Sequence, residues 1–391
     1  MDGIENYRRR EQTYIKHQFL TQYLQVAALK ILQSGTTTFN FVDGFAGPWH
    51  VSDEENYSDT SFHQALLTLN EVRSHLKEKA PPHIKNRLSE LKMRFCFCEK
   101  EKKPAKDLKK FANRHEQFDI HVIHGLFEKH LDEIGYFCRD GFTFTFIDPT
   151  GWNIDSEPIM KFLKERRGEF IINFMEEHIN RHVNFPKVAE SFGRFLAAPE
   201  WGDKFNNLPQ AWKNEKKVLH LLKEKIKQTG AATYVPDFPI FRPRENRIKM
   251  RLLLGTNSPK GIEVFRDVQK KVELQAIKTK NQLRTGRQHC GLFPADTIAA
   301  LEANSTGVGC QKYICKAENR IIKLLKNNSP QLFEDIANDI LESIPIRLTH
   351  TKDLIKKMKK KSIINYDLPP GKRKPQEGTL ISLGSEATDK K

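Results

Sequence analysis

Three acids, each closing an apolar run, are the residues of this chain best placed to do chemistry. Asp43 ends Thr38-Phe-Asn-Phe-Val-Asp43 and opens Gly44-Phe45-Ala46-Gly47-Pro48-Trp49. Glu99 ends Met93-Arg-Phe-Cys-Phe-Cys-Glu99, and Asp148 ends Phe142-Thr-Phe-Thr-Phe-Ile-Asp148 ahead of Pro149-Thr150-Gly151-Trp152. A strand-terminal acid followed by glycines lets a ligand approach the backbone at the start of the next helix, as in nucleotide-binding βαβ units. By itself a glycine turn after a strand is more often only a turn. An acid ending a second strand raises the ligand reading, because Glu99 can accept from both hydroxyls of a ribose. The 56 residues from Asp43 to Glu99 exceed the ~20 of a compact unit, so helices must be inserted between them. His124-Gly125-Leu126-Phe127 suits one wall of an adenine pocket, and equally an ordinary strand-to-helix turn. At Asp148 a carboxylate and a proline-stiffened loop can be aimed at a reacting amine while Trp152 stacks a planar substrate; the same residues also form a plain β-turn.

Other constellations carry less. In Glu176-Glu177-His178-Ile-Asn-Arg181-His182 the two histidines stand at i and i+4, but no Glu follows the first, as a zinc-hydrolase helix requires. A solvated helix start, with acids favourable to its dipole, is the better reading. No metal site stands out, and there is neither a G-x-S-x-G elbow nor a G-x-x-x-x-G-K-[ST] loop, which removes the usual support for hydrolases and NTPases. Six cysteines, at 96, 98, 138, 290, 310 and 315, are too few and too irregular for a disulfide scaffold and are expected to be reduced and mostly buried.

These acids need a scaffold that brings strand ends together. Residues 12–33 place Ile15, Phe19, Tyr23, Ala27 and Ile31 at spacings of four, an amphipathic helix ended by Gly35. Strands are expected at 38–43, 93–99, 118–123, 142–148, 169–174, 234–240 and 248–254, with helices at 62–91 (interrupted at Pro81-Pro82), 104–114, 127–134, 158–166, within 183–230, and at 259–273. Strands alternating with helices in this way predict an α/β fold: a Rossmann-like, doubly wound, mostly parallel sheet with its functional loops at the strands' carboxyl ends. The expected domains are an N-terminal helix (1–35), the Rossmann-like domain (36–275), a linker or helical connection (276–330), a C-terminal module (331–384) and a frayed tail (385–391).

That module reads as helix 332–343, a second helix 353–361 capped by Thr349 or Thr351, then strands 362–366 and 378–383 around a basic turn, the order of a winged helix. It also holds the charge. The net +16 separates into 28 Lys and Arg against 29 Asp and Glu in residues 1–200, and 37 against 20 in the remainder. Lys356, Lys357, Lys360 and Lys361 on the second helix, with Lys372, Arg373 and Lys374 at the turn, form a candidate nucleic-acid face, though winged helices also bind proteins. No run of the sequence has the length and apolarity of a membrane span, and no export signal is read, so the expected location is cytoplasmic.

Taken in order, Lys16-His17, Asp43-Gly-Phe-Ala-Gly-Pro, Phe146-Ile-Asp148-Pro, Asn173-Phe-Met175 with Asn180-Arg181, Leu252-Leu-Leu-Gly-Thr-Asn-Ser-Pro259-Lys-Gly261 and Gly371-Lys-Arg-Lys-Pro375 resemble the three-Cys-motif partner protein family, TcmP, over nearly the whole chain. The resemblance implies a class I, S-adenosylmethionine-dependent methyltransferase-like domain, a winged helix facing DNA or RNA, and association with a radical-SAM-like protein bearing three cysteines. Asp43, Gly44, Phe45 and Gly47 would then shape the cofactor loop, Glu99 would accept from the ribose and Gly125 would flank the adenine. Asp148, Pro149 and Trp152 would face the transferred methyl. Trp49 stands where a glycine is expected, and Asp148-Pro-Thr-Gly replaces the Asp-Pro-Pro-aromatic of amino methyltransferases. Two alternatives remain at this level: a catalytically degenerate module that binds DNA or a partner, and a metal-dependent nuclease using Asp43, Glu99 and Asp148.

Overall fold

The run at 38–43 becomes β1 (Thr38–Asp43), buried at every position and paired on both sides. An apolar run without alternation buries both faces, which is the condition of a central strand under helices on either side. Around it lie β2 (Lys92–Glu99), β3 (Asp119–His124), β4 (Phe142–Ile147), β5 (Gly168–Phe174), β6 (Asp237–Phe241) and β7 (Ile248–Gly255), in the order β3-β2-β1-β4-β5-β7-β6. The first five strands are parallel; β7 runs antiparallel to β5, and β6 antiparallel to β7. This is the expected Rossmann-like, doubly wound, mostly parallel α/β sheet. The computed structural model describes residues 7, 10–47, 51–79, 90–149, 151–177, 186–198, 200–242, 247–285, 289–290 and 293–384. Trp49, the Pro81-Pro82 interruption, Thr150, His178, Asn180, Arg181, His182 and the tail at 385–391 lie outside the described residues.

Two compact units divide between Asn257 and Ser258. In the first, phenylalanines ladder across the sheet: Phe39 stacks on Phe142 and Phe41 on Phe144, at centroid distances of 5.5 and 6.2 Å. Helix α1 (Glu11–Gln33) buries Ile15, Phe19, Tyr23 and Ala27, and lays Phe19 on Phe238 of β6 and Tyr23 on Phe144 of β4. The Tyr23 hydroxyl and Thr256 donate to Glu169 at 2.9 and 2.6 Å, and burial raises the pKa of that carboxyl. The start of α1 is pinned by an Arg10–Asp59 pair, and helix α2 (Ser61–Lys79) follows. The helix read at 127–134 is instead a 3-10 turn, Phe127–Lys129, and a helix, Leu131–Phe137, because His130 leaves helical geometry (φ -115°, ψ 17°). The region 183–230 holds helices Pro186–Leu196, Trp201–Asn207 and Asn214–Thr229, the last stopped by Gly230 at φ 78°.

The second unit begins with helix Pro259–Thr285, which runs through residues 276–285 where the sequence reads as a linker. Those residues lack a broad apolar stripe, but Thr279 is 1% exposed, so packing within the unit rather than propensity carries the helix on. Ala295–Thr306, Gln311–Asn327, Phe333–Ser343 and Leu348–Lys360 follow as helices, and Gln331–Leu332, Leu380–Leu383 and Ile364–Asn365 form a three-stranded antiparallel sheet in that order. The helix expected at 353 starts at Leu348 and its N-cap is Arg347, not a threonine; Thr351 is fully buried inside the helix. Arg266 is 1% exposed. Its guanidinium donates to the carbonyls of Leu341 and Glu342 at the end of helix Phe333–Ser343 and to Gln269 Oε1, at 2.6, 2.8 and 2.6 Å. Gln269 passes this on to Glu273 Oε1 at 2.9 Å, whose other oxygen accepts from the Val308 amide at 2.6 Å.

Candidate functional site

Chain order reverses between β1 and β4: β2 and β3 wind to one side of β1, β4 and β5 to the other. Loops leaving neighbouring strands in opposite directions open a crevice at their carboxyl ends, where ligands bind in such sheets. Asp43 and Asp148 stand at its two lips and Glu99 beside them at the end of β2.

Three successive amides hold the start of the loop after Asp43. Gly44 N–H donates to the Phe146 carbonyl at 3.0 Å, Phe45 N–H to Asp43 Oδ1 at 3.0 Å, and Ala46 N–H to the Cys98 carbonyl at 2.9 Å. The chain therefore crosses from the end of β4 to the end of β2. A side chain at 44 would meet the Phe127 ring at 2.9 Å, which is why glycine occupies that position. Phe45 packs half-buried on the same ring at 5.9 Å, and Gly47 is also half-buried. Glu99 is 3% exposed, with Oε1 accepting from the Glu101 amide at 2.7 Å. Gly125 N–H bonds the Glu99 carbonyl at 3.0 Å, and the Gly125 Cα lies under the His130 ring, where a Cβ would fall 2.1 Å from Nε2.

Asp43 is fully buried. Oδ2 accepts from the Ser61 hydroxyl at 2.6 Å, yet burial dominates and pushes its pKa to about 7, with the Ser61 and Phe45 bonds opposing and Asp148 adding to the rise. Across the crevice Asp148 is ion-paired with Lys16 of α1 and accepts from Asn173 Nδ2, in β5, at 2.6 Å. The Lys16 ammonium lies 5.9 Å from the Phe146 ring centroid. With Nδ2 fixed on a carboxylate, the Asn173 carbonyl oxygen is left buried and has no hydrogen-bond partner among the described residues. Pro149 is buried beside Asp148. Removing the ammonium leaves a partly desolvated carboxylate, so Lys16→Met is expected to lower the stability of the first unit by about 2 kcal/mol. Urea unfolding followed by tryptophan fluorescence reads this, and an unchanged midpoint refutes it.

The geometry gathers Asp43, Gly44, Phe45, Gly47, Glu99, Gly125, Asp148 and Pro149 along one edge of the sheet. It does not bring Trp152 in as a stacking platform. The indole lies on Phe192 at 4.8 Å and its N–H donates to Ser191 at 3.2 Å, so the ring is committed to packing against helix Pro186–Leu196. Glu176 and Glu177 are no solvated helix start either: both are at most 5% exposed, Glu176 paired with Arg251 and Glu177 with Arg242 at 2.7 Å. Ser61 was not legible as a site residue. Lys16 carried a signal, since it falls in line with Leu20, Leu24 and Ala28, an apolar row in which a lysine needs a partner.

In the second unit, helix Leu348–Lys360 turns Leu354, Ile355 and Met358 inward and leaves Lys357 and Lys360 exposed, Lys356 half-buried. Lys361, Lys372, Arg373 and Lys374 are exposed, Lys374 within 2.5 Å of Asp353. Lys359 turns inward to the Tyr366 carbonyl. Among the described residues no group of three or more His, Cys, Asp or Glu side chains is gathered as a metal site would need, and no helix is long and apolar enough to cross a membrane. Cys96, Cys98, Cys138 and Cys310 are buried and unbridged, whereas Cys315 is exposed.

No family model and no curated protein matches the chain. Solved structures to which it is similar include protein LPL1258 from Legionella pneumophila, at 12% identity over 68% of this chain and 92% of that one, with a TM-score of 0.35. Another is an O-methyltransferase from Bacillus cereus in complex with SAH, at 10% identity over 60% and 80%, with a TM-score of 0.30.

Proposed function

We propose that the first unit is an S-adenosylmethionine-dependent methyltransferase acting on nucleic acid or a nucleic-acid-associated substrate. What carries the reading is the state of the loop at 44–46 beside three carboxylates. A dinucleotide or nucleoside polyphosphate needs free backbone amides for its phosphates; here the amides of Gly44, Phe45 and Ala46 are all spent within the protein. An edge that bears carboxyl groups, and whose loop amides and Lys16 cation are already paired rather than free for phosphates, suits a nucleoside that carries no phosphate.

The residues fit that cofactor. Glu99, steadied by the Glu101 amide, would accept from the ribose; the Asp43–Gly47 loop and Gly125 would border the remainder. Bound there, S-adenosylmethionine would supply an electrophilic methyl group. The chain's own part is alignment. Asp148, held by Lys16 and Asn173 and still part-exposed, is the acceptor that would orient a substrate nitrogen bearing N–H. In the second unit the short strands after helix Leu348–Lys360 fit a winged helix whose exposed lysines hold the polyanion. The resemblance to the three-Cys-motif partner family adds a radical-SAM-like protein as an associate, and a cytoplasmic setting suits such a pair.

Calorimetry with S-adenosylmethionine tests the reading first. Binding is expected, weakened about tenfold to a hundredfold in Glu99→Ala by loss of charged hydrogen bonds; no heat from the wild-type protein sinks the proposal. Asp148→Asn is expected to keep cofactor binding while lowering transfer of labelled methyl into total cellular RNA or DNA about a hundredfold.

The second reading is a degenerate module, favoured by Gly44 and Gly125, whose need for glycine is met by Phe127 and His130 of the chain itself. The same calorimetry separates the two. The nuclease reading is disfavoured because Asp148 already holds the Lys16 ammonium.

A further inference from the structure

The strands that end the sheet do not stop where β5 stops. Phe174, the last residue of β5, lies opposite Arg251, and β7 extends three residues beyond it through Met250 and Lys249 to Ile248. At ~3.4 Å per residue the β6–β7 hairpin stands about 10 Å above the carboxyl edge. Its tip carries Arg242, Arg247 and Lys249, although residues 1–200 are balanced in charge.

The pairing breaks at this height. Ile240 is opposite Met250 but Phe241 is opposite Ile248, which leaves Lys249 as the extra residue of a bulge. Bulges re-aim side chains and recur beside active sites. Here Phe238 and Ile240 are buried at 2%, whereas Phe241 is 48% exposed, a large aromatic ring standing in solvent among cations. Glu177 holds Arg242 in a two-point pair and lies 3.7 Å from Arg247, whose side chain is 47% exposed. Lys249 has no carboxylate at ion-pair distance among the described residues. Burial lowers its pKa, with Arg242 and Lys16 acting in the same direction and Glu177 against them. Helix α1, whose Lys16 holds Asp148, lays Phe19 on Phe238 of β6, so the hairpin rises beside the Asp148 end of the crevice.

We propose that this hairpin is the acceptor clamp of the first unit, binding single-stranded nucleic acid with Phe241 stacked on a base and Arg247 and Lys249 on the flanking phosphates. The proposal rests on the transferase reading for what happens next, but not for binding. An exposed ring among cations is the arrangement that grips a single strand without regard to sequence, since every base offers a face and every nucleotide a charge. A duplex hides its bases in the stack, and an acidic peptide has nothing for the ring to stack on.

The test uses the full chain and a fluorescein-labelled, mixed-sequence 12-nucleotide RNA, with fluorescence anisotropy read at several salt concentrations. Phe241→Ala is expected to weaken binding about tenfold or more. The double variant Arg247→Gln/Lys249→Gln is expected to flatten the slope of log K against log salt by about 1.4, two phosphates at ~0.7 each. Single-stranded DNA of the same sequence is expected to bind as well, and a preference between the two identifies the strand. Unchanged affinity and slope in both variants, or an equal loss of duplex affinity in Phe241→Ala, would overturn the clamp, because the hairpin's share of binding must vanish with its ring and must favour the single strand. Calorimetry with S-adenosylmethionine on the same variants keeps the two ideas apart. Cofactor heat with unaltered oligonucleotide binding rejects the clamp alone, whereas altered oligonucleotide binding without cofactor heat rejects the transferase alone.

Discussion

Replacing Arg266 by Met is expected to cost the second unit about 3 kcal/mol of stability, and replacing it by Ala about 4. The guanidinium is sealed from solvent and donates to Gln269 and to two carbonyls that end helix Phe333–Ser343. Those carbonyls belong to the last turn of a helix and have no intrahelical donor. Met refills most of the volume but leaves them buried without partners, at a cost of ~1–3 kcal/mol each. Ala adds a cavity. Because Arg266 also lowers the pKa of the buried Glu273, its loss makes that carboxyl harder to ionise as well. Hydrogen exchange followed by mass spectrometry localises the effect: protection should fall across helices Pro259–Thr285 and Phe333–Ser343. Protection equal to wild type in both helices would show that the buried arginine is dispensable.

Asp43 is expected to contribute stability to the first unit that is lost as pH rises from about 4 to about 7, against the opposite contribution of buried His17 and His63, so that Asp43→Asn becomes progressively less costly relative to wild type over that range. Unfolded, Asp43 loses its proton near its ordinary value of 3.8; folded, burial holds the proton until about 7. Between those values the folded protein binds more protons at Asp43 than the unfolded chain, so this group makes unfolding easier with each rise in pH, by about 1.4 kcal/mol per unit. The stabilisation is full below 3.8, is lost as pH passes 7, and amounts to on the order of 4 kcal/mol. Glu169 has a raised pKa in the same unit and slopes the same way, so the variant must be compared with wild type at each pH. Asn keeps an oxygen for the Phe45 amide, and its NH2 can donate to the Ser61 hydroxyl, so the fold has no reason to reject it. All four tryptophans, at 49, 152, 201 and 212, belong to the first unit, so urea unfolding by tryptophan fluorescence reads this unit alone. Parallel pH curves for the two proteins would refute the assignment.

The sheet was legible because buried strands write themselves as dense aromatic and β-branched runs: 38–43 matches β1 residue for residue, and 142–148 overruns β4 by one residue, Asp148. The three strand-end acids followed from the same runs. What escaped depended on contacts from far away in the chain. The Lys-rich end of helix Pro259–Thr285 shows no broad apolar stripe and reads as a linker, because its stabilisation comes from packing inside the second unit. Glu176 and Glu177 read as solvated because nothing nearby in sequence announces Arg251 and Arg242 as their counter-ions, 75 and 65 residues on. Trp152 looked like a platform since its loop was correctly placed, but the direction of a ring is decided by what packs beside it, here Phe192. Asn173 sits in the middle of an apolar run, and a buried amide there asks for a polar partner; that partner is Asp148.

The Lys16–Asp148 pair also sets an order in time. The lysine is made first, and its carboxylate follows 132 residues later. At roughly 5–20 residues per second that interval is about 7–26 s of synthesis. For all of it α1 carries an ammonium with no counter-ion in a row built to be buried, so the helix has little reason to dock early. Closing the pair requires β1, β4 and β5 to be in register at once, since Asp148 is also held from β5 by Asn173. The crevice is thus not closed until β5 has been made and paired, and a chain whose sheet is truncated before it or mispaired carries no finished site that could react with a substrate.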